Sequence, residues 1–314
     1  WPLHAKPDDI AHYEGRYEMG WDALREQRHA RMKTLGVVDL AWKLSPRNEE
    51  VDAWEETENL DWQQRRMEVY AAQVTCMDRN IGRVIDAIKA AGKYDNTIII
   101  YHHDNGGCHV EYDPDRTGYW TREFTTDGRK TPIVPGNLPA VMPGPQSSFQ
   151  SYGYGWANAA NTPFRYYKQY DHEGGTRSPL IVSWPDGLHR DHAGGLTPKF
   201  GHAIDIMPTL LEAAGVDSLD QKPMPLEGQS LLAAITGEPT IQVERGPVFW
   251  AHNKGWAVRK GDWKLVSKNK KIWEFYNLVT DGTELNDVVA QHPVKVAAMI
   301  KLFEDWDRRT NLGR

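Results

Sequence analysis

The chain has 314 residues, of which 40% are hydrophobic and 25% are charged. A chain of this length and composition can bury a large core, so a disordered protein is not expected. The formal net charge is −6, and the basic residues are scattered along the sequence. Neither a basic block that would neutralise nucleic-acid phosphates nor an apolar run near the roughly 20 residues of a membrane span is present. Nucleic-acid binding and a membrane span are therefore not expected.

The two cysteines and the first residues of the chain do not indicate a function. Cys76 and Cys108 have no companions at metal-ligand spacing, so the sequence predicts neither a zinc site nor a disulfide framework. The chain opens at Trp1-Pro2-Leu3, without methionine, signal peptide or capping residue. We expect this to be a cut edge of a longer protein, and a native start at Trp1 is the alternative.

Two helices are predicted in the first hundred residues. The first runs from Asp22 to Leu35 and ends at Gly36, and the rest of residues 1–60 is predicted to be surface loop. From about Trp62, apolar residues recur every three or four positions until Gly92, which predicts a long amphipathic helix.

Two short apolar runs predict strands of one sheet. Residues 97–101 are a β-branched run typical of a parallel strand covered on both faces, and residues 180–184 form a similar run. A helical pattern over residues 206–214, closed by Gly215, follows the second run. Alternation of helices and buried strands predicts an α/β architecture.

The remaining sequence divides into an irregular segment and a region of short strands. Residues 109–163 are rich in Pro, Gly, Ser and aromatics without periodicity, which indicates an ordered functional insertion. Past residue 240, alternating runs predict a small antiparallel sheet with strands at 248–251, 256–259, 263–267 and 274–278. A final helix over residues 294–308 has one apolar face that can pack against this sheet.

The first candidate site is Asp104-Asn105-Gly106-Gly107, directly after the first predicted strand. Ligands in open α/β sheets bind beyond the carboxyl ends of strands. A carboxylate beside an amide oxygen offers two hard ligands for Ca²⁺ or Mg²⁺, and glycines allow close backbone approach. The same residues also favour an ordinary turn, although no second alternating strand follows to make a hairpin.

The second candidate is Lys168, which precedes a His172-Glu173-Gly174-Gly175 turn and the second strand. A lysine at this point can place one ammonium over an anionic group such as sulfate. The alternative is a solvated lysine, with Glu173 and Arg177 only bracing the turn.

Together these segments resemble the type I sulfatases, the arylsulfatase family of the alkaline-phosphatase-like superfamily. The resemblance covers nearly the whole chain, and the motifs are specific in combination. The matching segments, in the family's order and approximate spacing, are 67–72, 77–84, 95–97, 104–107, 162–165, Lys168 with 172–175, 205–211 and 273–278.

The resemblance implies a fold and a division into domains. It implies part of an alkaline-phosphatase-like, mainly parallel sheet flanked by helices, within a catalytic domain over residues 1–240. A small antiparallel-sheet subdomain with a terminal helix is implied over residues 241–314. The family also implies a periplasmic or secreted location.

The resemblance also implies site residues and a cofactor. Asp104 and Asn105 match the second pair of ligands to one calcium ion, with magnesium the lesser alternative, and Lys168 matches the catalytic lysine that contacts the sulfate. The family's other site residues, including the Cys-x-Pro-Ser-Arg segment whose cysteine becomes formylglycine, do not occur in this chain. Neither Cys76 nor Cys108 precedes Pro-Ser-Arg. His4 lies near the position of a substrate histidine but out of register, so a satisfied or solvated histidine is expected.

The implied activity is sulfatase, a sulfuric ester hydrolase, acting on an aryl or carbohydrate sulfate ester when joined to a missing N-terminal segment of the same protein. This chain alone is predicted to be inactive. We expect substrate selectivity to be set by residues 109–156, which include Trp120, Arg122, Arg129 and Tyr154. The alternatives are a phosphonate or phosphate monoester hydrolase of the same superfamily and a non-catalytic binding protein derived from a sulfatase.

Overall fold

The computed structural model describes residues 2–115, 124, 126–130, 133–189, 193–197, 199–216, 226–237, 245–252 and 255–310. The chain divides into two compact units. Unit 1 comprises residues 1–84, 103–178 and 248–314, and unit 2 comprises residues 85–102 and 179–247. The predicted domain limits, 1–240 and 241–314, stay a prediction.

The elements follow one another as mixed helices and strands. The α-helices are α1 (Pro7–Ala11), α2 (Gly20–Thr34), α3 (Leu60–Ala90), α4 (Gly153–Ala160), α5 (Glu173–Thr176), α6 (Ile206–Ala213), α7 (Leu232–Thr236) and α8 (Pro293–Thr310). The strands are β1 (Ile99–His102), β2 (Val134–Pro135), β3 (Ser148–Phe149), β4 (Leu180–Ser183), β5 (Val248–His252), β6 (Gly255–Lys260), β7 (Trp263–Ser267) and β8 (Glu274–Asn277).

The N-terminal residues contribute to the core of unit 1, so the prediction of surface loop outside α2 was wrong. Leu3 is 1% exposed, and Val51 is also buried. The indole rings of Trp21, Trp54 and Trp156 pack with centroids 4.7 to 5.6 Å apart. Large aromatic rings bury much apolar area without helical or strand periodicity, which explains why the sequence pattern did not reveal this core.

The long helix predicted from Trp62 is confirmed as α3, and Gly92 follows it with φ of +64°. Its first turns are buried through residues such as Met67 and Val69, whereas Val84 near its end is 61% exposed. In the part of the chain that the structure describes, no helix combines the length and apolarity needed to cross a membrane.

Strands β1 and β4 pair with each other in unit 2, as predicted, but their direction and burial differ from the prediction. They run antiparallel, with Ile99 opposite Ser183 and His102 opposite Leu180. Ile181 is 60% exposed, so the pair is not covered on both faces. Strand direction depends on the path of the intervening chain, which an apolar run does not encode.

The C-terminal sheet of unit 1 confirms the sequence prediction. Strands β5 to β8 form an antiparallel meander in chain order, and α8 covers one face. Val296 and Phe303 of α8 are buried against Val258, Leu265 and Phe275 of the sheet. Alternating side chains on each strand supply the apolar face that α8 buries.

The irregular segment between β1 and β4 contains a helix that the sequence did not predict. Helix α4 includes Gly153 and Gly155, which are poor helix formers. A Cβ on Gly155 would lie 2.5 Å from the ring of Trp21, so the glycine permits close packing of α4 on α2. Tertiary packing therefore stabilises a helix that local propensity disfavours.

Candidate functional site

The 104–107 loop directly follows β1 and packs against the turn formed by α5. The Gly106 N–H donates to the Gly175 carbonyl at 3.0 Å. A Cβ on Gly106 would lie 1.8 Å from the Gly174 carbonyl oxygen, so no other residue fits there without movement of the backbone. The glycine is required by close approach of two backbones rather than by a tight turn.

The same loop is joined to the lysine loop, residues 165–172. The Lys168 N–H donates to the Gly107 carbonyl at 3.0 Å. Asn161 bridges the two loops, because its Oδ1 accepts from the Gly107 N–H at 2.8 Å and its Nδ2 donates to the Tyr166 carbonyl at 3.0 Å. The structure therefore brings the backbones carrying Asp104, Asn105 and Lys168 together.

The lysine loop holds an uncommon backbone conformation on both sides of Lys168. Tyr166 has φ of +60° and Gln169 has φ of +81°. Left-handed conformations of such residues cost about 1 kcal/mol or more each and persist only when their surroundings fix them. Part of that fixation comes from Arg165, whose Nη1 donates to the Tyr276 hydroxyl at 3.0 Å and to the Glu284 carbonyl at 2.6 Å.

Burial of the α5 turn explains the Glu-Gly-Gly sequence. Glu173 is 3% exposed, and its Oε2 accepts from Arg177 at 3.2 Å, which is the bracing pair that the sequence offered as an alternative. Cβ atoms on Gly174 and Gly175 would lie within 2 Å of the carbonyl oxygens of Arg165 and Tyr170, respectively 1.8 and 1.9 Å. The turn therefore fits against the lysine loop only with glycine at both positions.

Residues of the C-terminal region, which were not predicted from the sequence to be site residues, contact this turn. Lys264 of β7 donates to Glu173 Oε1 at 2.7 Å, and Glu284 Oε2 accepts from the Glu173 N–H at 2.7 Å. Burial alone would raise the pKa of Glu173, but the charges of Lys264, Arg177 and Arg259 and the hydrogen bond from Lys264 together outweigh it and lower the pKa. A lysine on the same strand face as buried Val266 was the available signal.

A second ionisable group beside the turn is the half-buried Glu274. Glu274 Oε2 is 3.1 Å from His172 Nε2 and 2.5 Å from the Tyr276 hydroxyl, which donates to it. Burial alone raises the pKa of Glu274, but the contacts with His172 and Tyr276 and the charge of Arg165 outweigh it and lower the pKa to about 2. The carboxylate is therefore ionised over the physiological range.

This pKa predicts acid sensitivity. A carboxyl whose folded-state pKa is depressed stabilises the fold above its ordinary pKa of 4.5, and this stability is lost as pH falls towards about 2. Relative to Glu274→Gln, the parent should lose about 2 to 3 kcal/mol more unfolding free energy across that window. Urea unfolding at a series of pH values measures the difference, with exposed Glu304→Gln as the control. Equal slopes for parent and Glu274→Gln would contradict the prediction.

Aromatic rings surround the buried side of the lysine loop. His109 is 7% exposed and stacks on Tyr167 with centroids 4.8 Å apart, and burial lowers its pKa. Tyr154 packs edge-on against Tyr167 at 5.9 Å. Two residues of the predicted selectivity segment, His109 and Tyr154, thus pack against Tyr167, the residue before Lys168.

The structure gives no evidence on a substrate-binding role for the other residues named in the selectivity segment. The side chain of Arg129 is 71% exposed and pairs with Asp127. Trp120 and Arg122 lie outside the described residues. The role of this segment stays a prediction.

Three further residues singled out in the sequence have ordinary surroundings. His4 Nε2 lies 2.6 Å from the Ser148 carbonyl, which makes it a satisfied histidine, as expected. Cys76 and Cys108 are free thiols, and Cys76 lies in α3.

Asp104 and Asn105 have the oxygen donors that calcium prefers, but these two residues alone do not supply enough ligands for a complete calcium site. Asp104 is exposed and Asn105 half-buried. Calcium takes about six to eight oxygen ligands. Among the described residues, no group of three or more His, Cys, Asp or Glu side chains could hold a metal ion. The residues therefore fit part of a calcium site, and their role in metal binding stays a prediction.

Comparison with known sequences defines the class of protein. A family model described as Sulfatase matches residues 1–216, and one described as N-sulphoglucosamine sulphohydrolase, C-terminal, matches residues 164–305. The chain is 32% identical over 332 residues to an uncharacterized sulfatase of Schizosaccharomyces pombe, covering 99% of this chain and 56% of that protein. It is 32% identical over 244 residues to an arylsulfatase of Klebsiella aerogenes, and this match covers 74% of this chain and 48% of that protein. The chain belongs to the sulfatase family and spans about half the length of these relatives.

Solved structures show the same fold. The crystal structure of Ps i-CgsB matches with a TM-score of 0.59 at 20% identity, covering 98% of this chain and 47% of that chain. Its complex with k-i-k-neocarrahexaose matches with a TM-score of 0.55 at 21% identity, and this match covers 91% of this chain and 54% of that chain. The chain therefore shares the fold of these two structures, a mixed α/β fold with a small antiparallel sheet and a terminal helix.

Proposed function

We propose that this chain is the part of a sulfatase that contributes Asp104 and Asn105 to a calcium site and Lys168 to sulfate binding. The complete protein would hydrolyse a sulfate ester, with a formylglycine nucleophile supplied by a segment that precedes these residues. The observation that carries the proposal is the Lys168 N–H donating to the Gly107 carbonyl at 3.0 Å, within a chain of the sulfatase family. This bond joins the two loops that the mechanism needs side by side.

In this mechanism the main difficulty is negative charge on the sulfuryl oxygens as the ester oxygen leaves. Lys168 would supply an ammonium near those oxygens, and the loop contacts hold the Lys168 backbone in place before the substrate arrives. Asp104 and Asn105 would hold calcium, which when bound supplies Lewis-acid polarisation of the sulfuryl oxygens. Backbone bonds between the loops limit the reorganisation needed during the reaction.

The substrate class follows from the relatives and from the aromatic surroundings of the lysine loop. One relative is named an arylsulfatase and another, 23% identical over 265 residues, an N-acetylglucosamine-6-O-sulfatase of Bacteroides thetaiotaomicron. Tyr154 and Tyr170 are half-buried rings that pack against Tyr167, the residue before Lys168, and an aromatic ring can stack on an aryl group or a sugar. We therefore propose an aryl or carbohydrate sulfate as the substrate.

The test is a substrate screen on the complete protein carrying its own upstream segment. Aryl, monosaccharide and polysaccharide sulfates should release sulfate in a calcium-dependent reaction. Preferential hydrolysis of phosphonate or phosphate monoesters would replace the sulfatase proposal with a related hydrolase. No turnover of any ester by a protein with an intact Cys-x-Pro-Ser-Arg segment would favour a binding role.

The proposal also predicts how the 314-residue chain behaves by itself. Two of the expected calcium carboxylates and the nucleophile are supplied from outside it, so it should bind Ca²⁺ weakly and hydrolyse no sulfate ester. Isothermal titration calorimetry and a 4-nitrophenyl sulfate assay test this expectation. Tight calcium binding or turnover by these residues alone would contradict it.

A further inference from the structure

A buried lysine connects the C-terminal sheet to the α5 turn. Lys264 and Glu284 are both 0% exposed, and Glu173 is 3% exposed. The Lys264 ammonium lies 2.7 Å from Glu173 Oε1 and 3.1 Å from Glu284 Oε1. Glu284 also accepts the Glu173 N–H through its other oxygen, at 2.7 Å. The three side chains form one network, here called the Lys264 triad.

The Lys264 triad holds the turn on which both site loops rest. Gly106 is bonded to the Gly175 carbonyl at 3.0 Å, and its α-carbon packs against Gly174 too closely for a side chain. The lysine loop meets the other side of the turn, where a Cβ on Gly174 would lie 1.8 Å from the Arg165 carbonyl oxygen. Because the turn is closely packed against both loops, a shift of the turn must move both loops.

Stability alone is a weak explanation for the Lys264 triad. Burying three charged groups costs several kcal/mol of desolvation each, and apolar residues of similar volume are often as stabilising. Charge is nearly balanced, since Arg177 contacts the second oxygen of Glu173 at 3.2 Å. Such a network fixes one arrangement of its members through directional hydrogen bonds, which apolar packing does not do.

We propose that Lys264 and Glu284 are positioning residues of the sulfate site. They act through Glu173 to set the separation of the 104–107 loop from Lys168, so the C-terminal sheet completes the site without contacting the substrate. The inference rests on the proposed function for its kinetic consequence, whereas its structural consequence is independent of that function.

The experiment compares three variants of the complete protein. Lys264→Met removes the cation that pairs with the buried carboxylates of Glu173 and Glu284, so it is expected to destabilise the fold. Lys264→Met with Glu284→Gln removes one charge of each sign and keeps an acceptor for the Glu173 N–H, so it should fold. Phe303→Leu, which loosens the core between α8 and the same sheet, is the matched control because the described hydrophobic cluster around Phe303 includes no residue of the turn.

Two readouts separate positioning from general destabilisation. For 4-nitrophenyl sulfate, the double variant should show kcat lowered about tenfold to a hundredfold with KM within about threefold of the parent. Amide hydrogen exchange should be faster in peptides covering residues 104–107 and 165–177. Phe303→Leu should leave both readouts near the parent values.

The outcomes are distinguishable from failure of the proposed function. If the parent hydrolyses no sulfate ester, the function fails, and the exchange measurement still decides whether the Lys264 triad positions the loops. Parent-like exchange in the folded double variant, with parent-like kcat where there is turnover, would overturn the inference. Equal effects of Phe303→Leu on both readouts would also overturn it.

Discussion

Replacing Lys168 with alanine in the complete protein is expected to lower turnover of a sulfate ester by about a hundredfold to a thousandfold. Removing one preorganised group that stabilises developing negative charge typically costs about 3 to 4 kcal/mol of barrier. The fold should be retained, because the contact that anchors this loop is the Lys168 backbone N–H, which alanine keeps. Steady-state kinetics with 4-nitrophenyl sulfate, together with thermal unfolding, measure both expectations.

The control for this variant is a surface lysine. The side chain of Lys301 on α8 is 73% exposed and pairs with Asp305, so Lys301→Ala should leave turnover unchanged. Lys168→Arg keeps the charge but changes its shape and should recover only part of the activity. Turnover of Lys168→Ala within threefold of the parent would refute the assignment of this lysine.

Asp104→Ala is expected to lower turnover to a similar extent, by about a hundredfold to a thousandfold, and to weaken the dependence on calcium. The carboxylate is one of two oxygen donors that this chain would offer to the metal, and an ionised ligand contributes more to calcium affinity than the neutral Asn105 amide. Calcium titration of the activity should show half-saturation at a higher concentration than in the parent. Raising the calcium concentration should recover part of the lost turnover.

A matched acidic control is available on α3, where Asp86 is exposed. Asp86→Ala should alter neither turnover nor the calcium titration. An Asp104→Ala protein with parent turnover and parent calcium dependence would show that residues 104–107 are only a turn, which is the simpler alternative for this sequence. Loss of turnover without any change in the calcium titration would assign Asp104 a role other than metal binding.

The elements with strong local patterns were predicted well. The four C-terminal strands alternate apolar and polar residues between turn signals, and α2, α3, α6 and α8 carry helical periodicity with a glycine after three of them. These signals depend on residues within one or two turns of each other. Elements without such signals were missed, including α4 and the buried N-terminal tryptophans.

The candidate site likewise has a part that was predicted from the sequence and a part that was not. The identities of Asp104, Asn105 and Lys168 came from short motifs and a family resemblance, and the structure places their backbones together while their chemical roles stay predictions. The Lys264 triad was not predicted, because its members lie far apart in sequence. Glu173 is 91 residues from Lys264 and 111 from Glu284.

The sequence by itself determined the family and the order of the elements with strong local patterns, and it supplied the candidate site residues, because periodicity, glycine placement and motif spacing are local properties of a chain. The tertiary structure alone decided that β1 and β4 run antiparallel, that the 104–107 loop packs against the α5 turn, and that a lysine from the C-terminal sheet pairs with Glu173 of this turn. These features depend on which distant surfaces pack together, and steric fit and charge pairing between distant residues leave no periodic trace in the sequence.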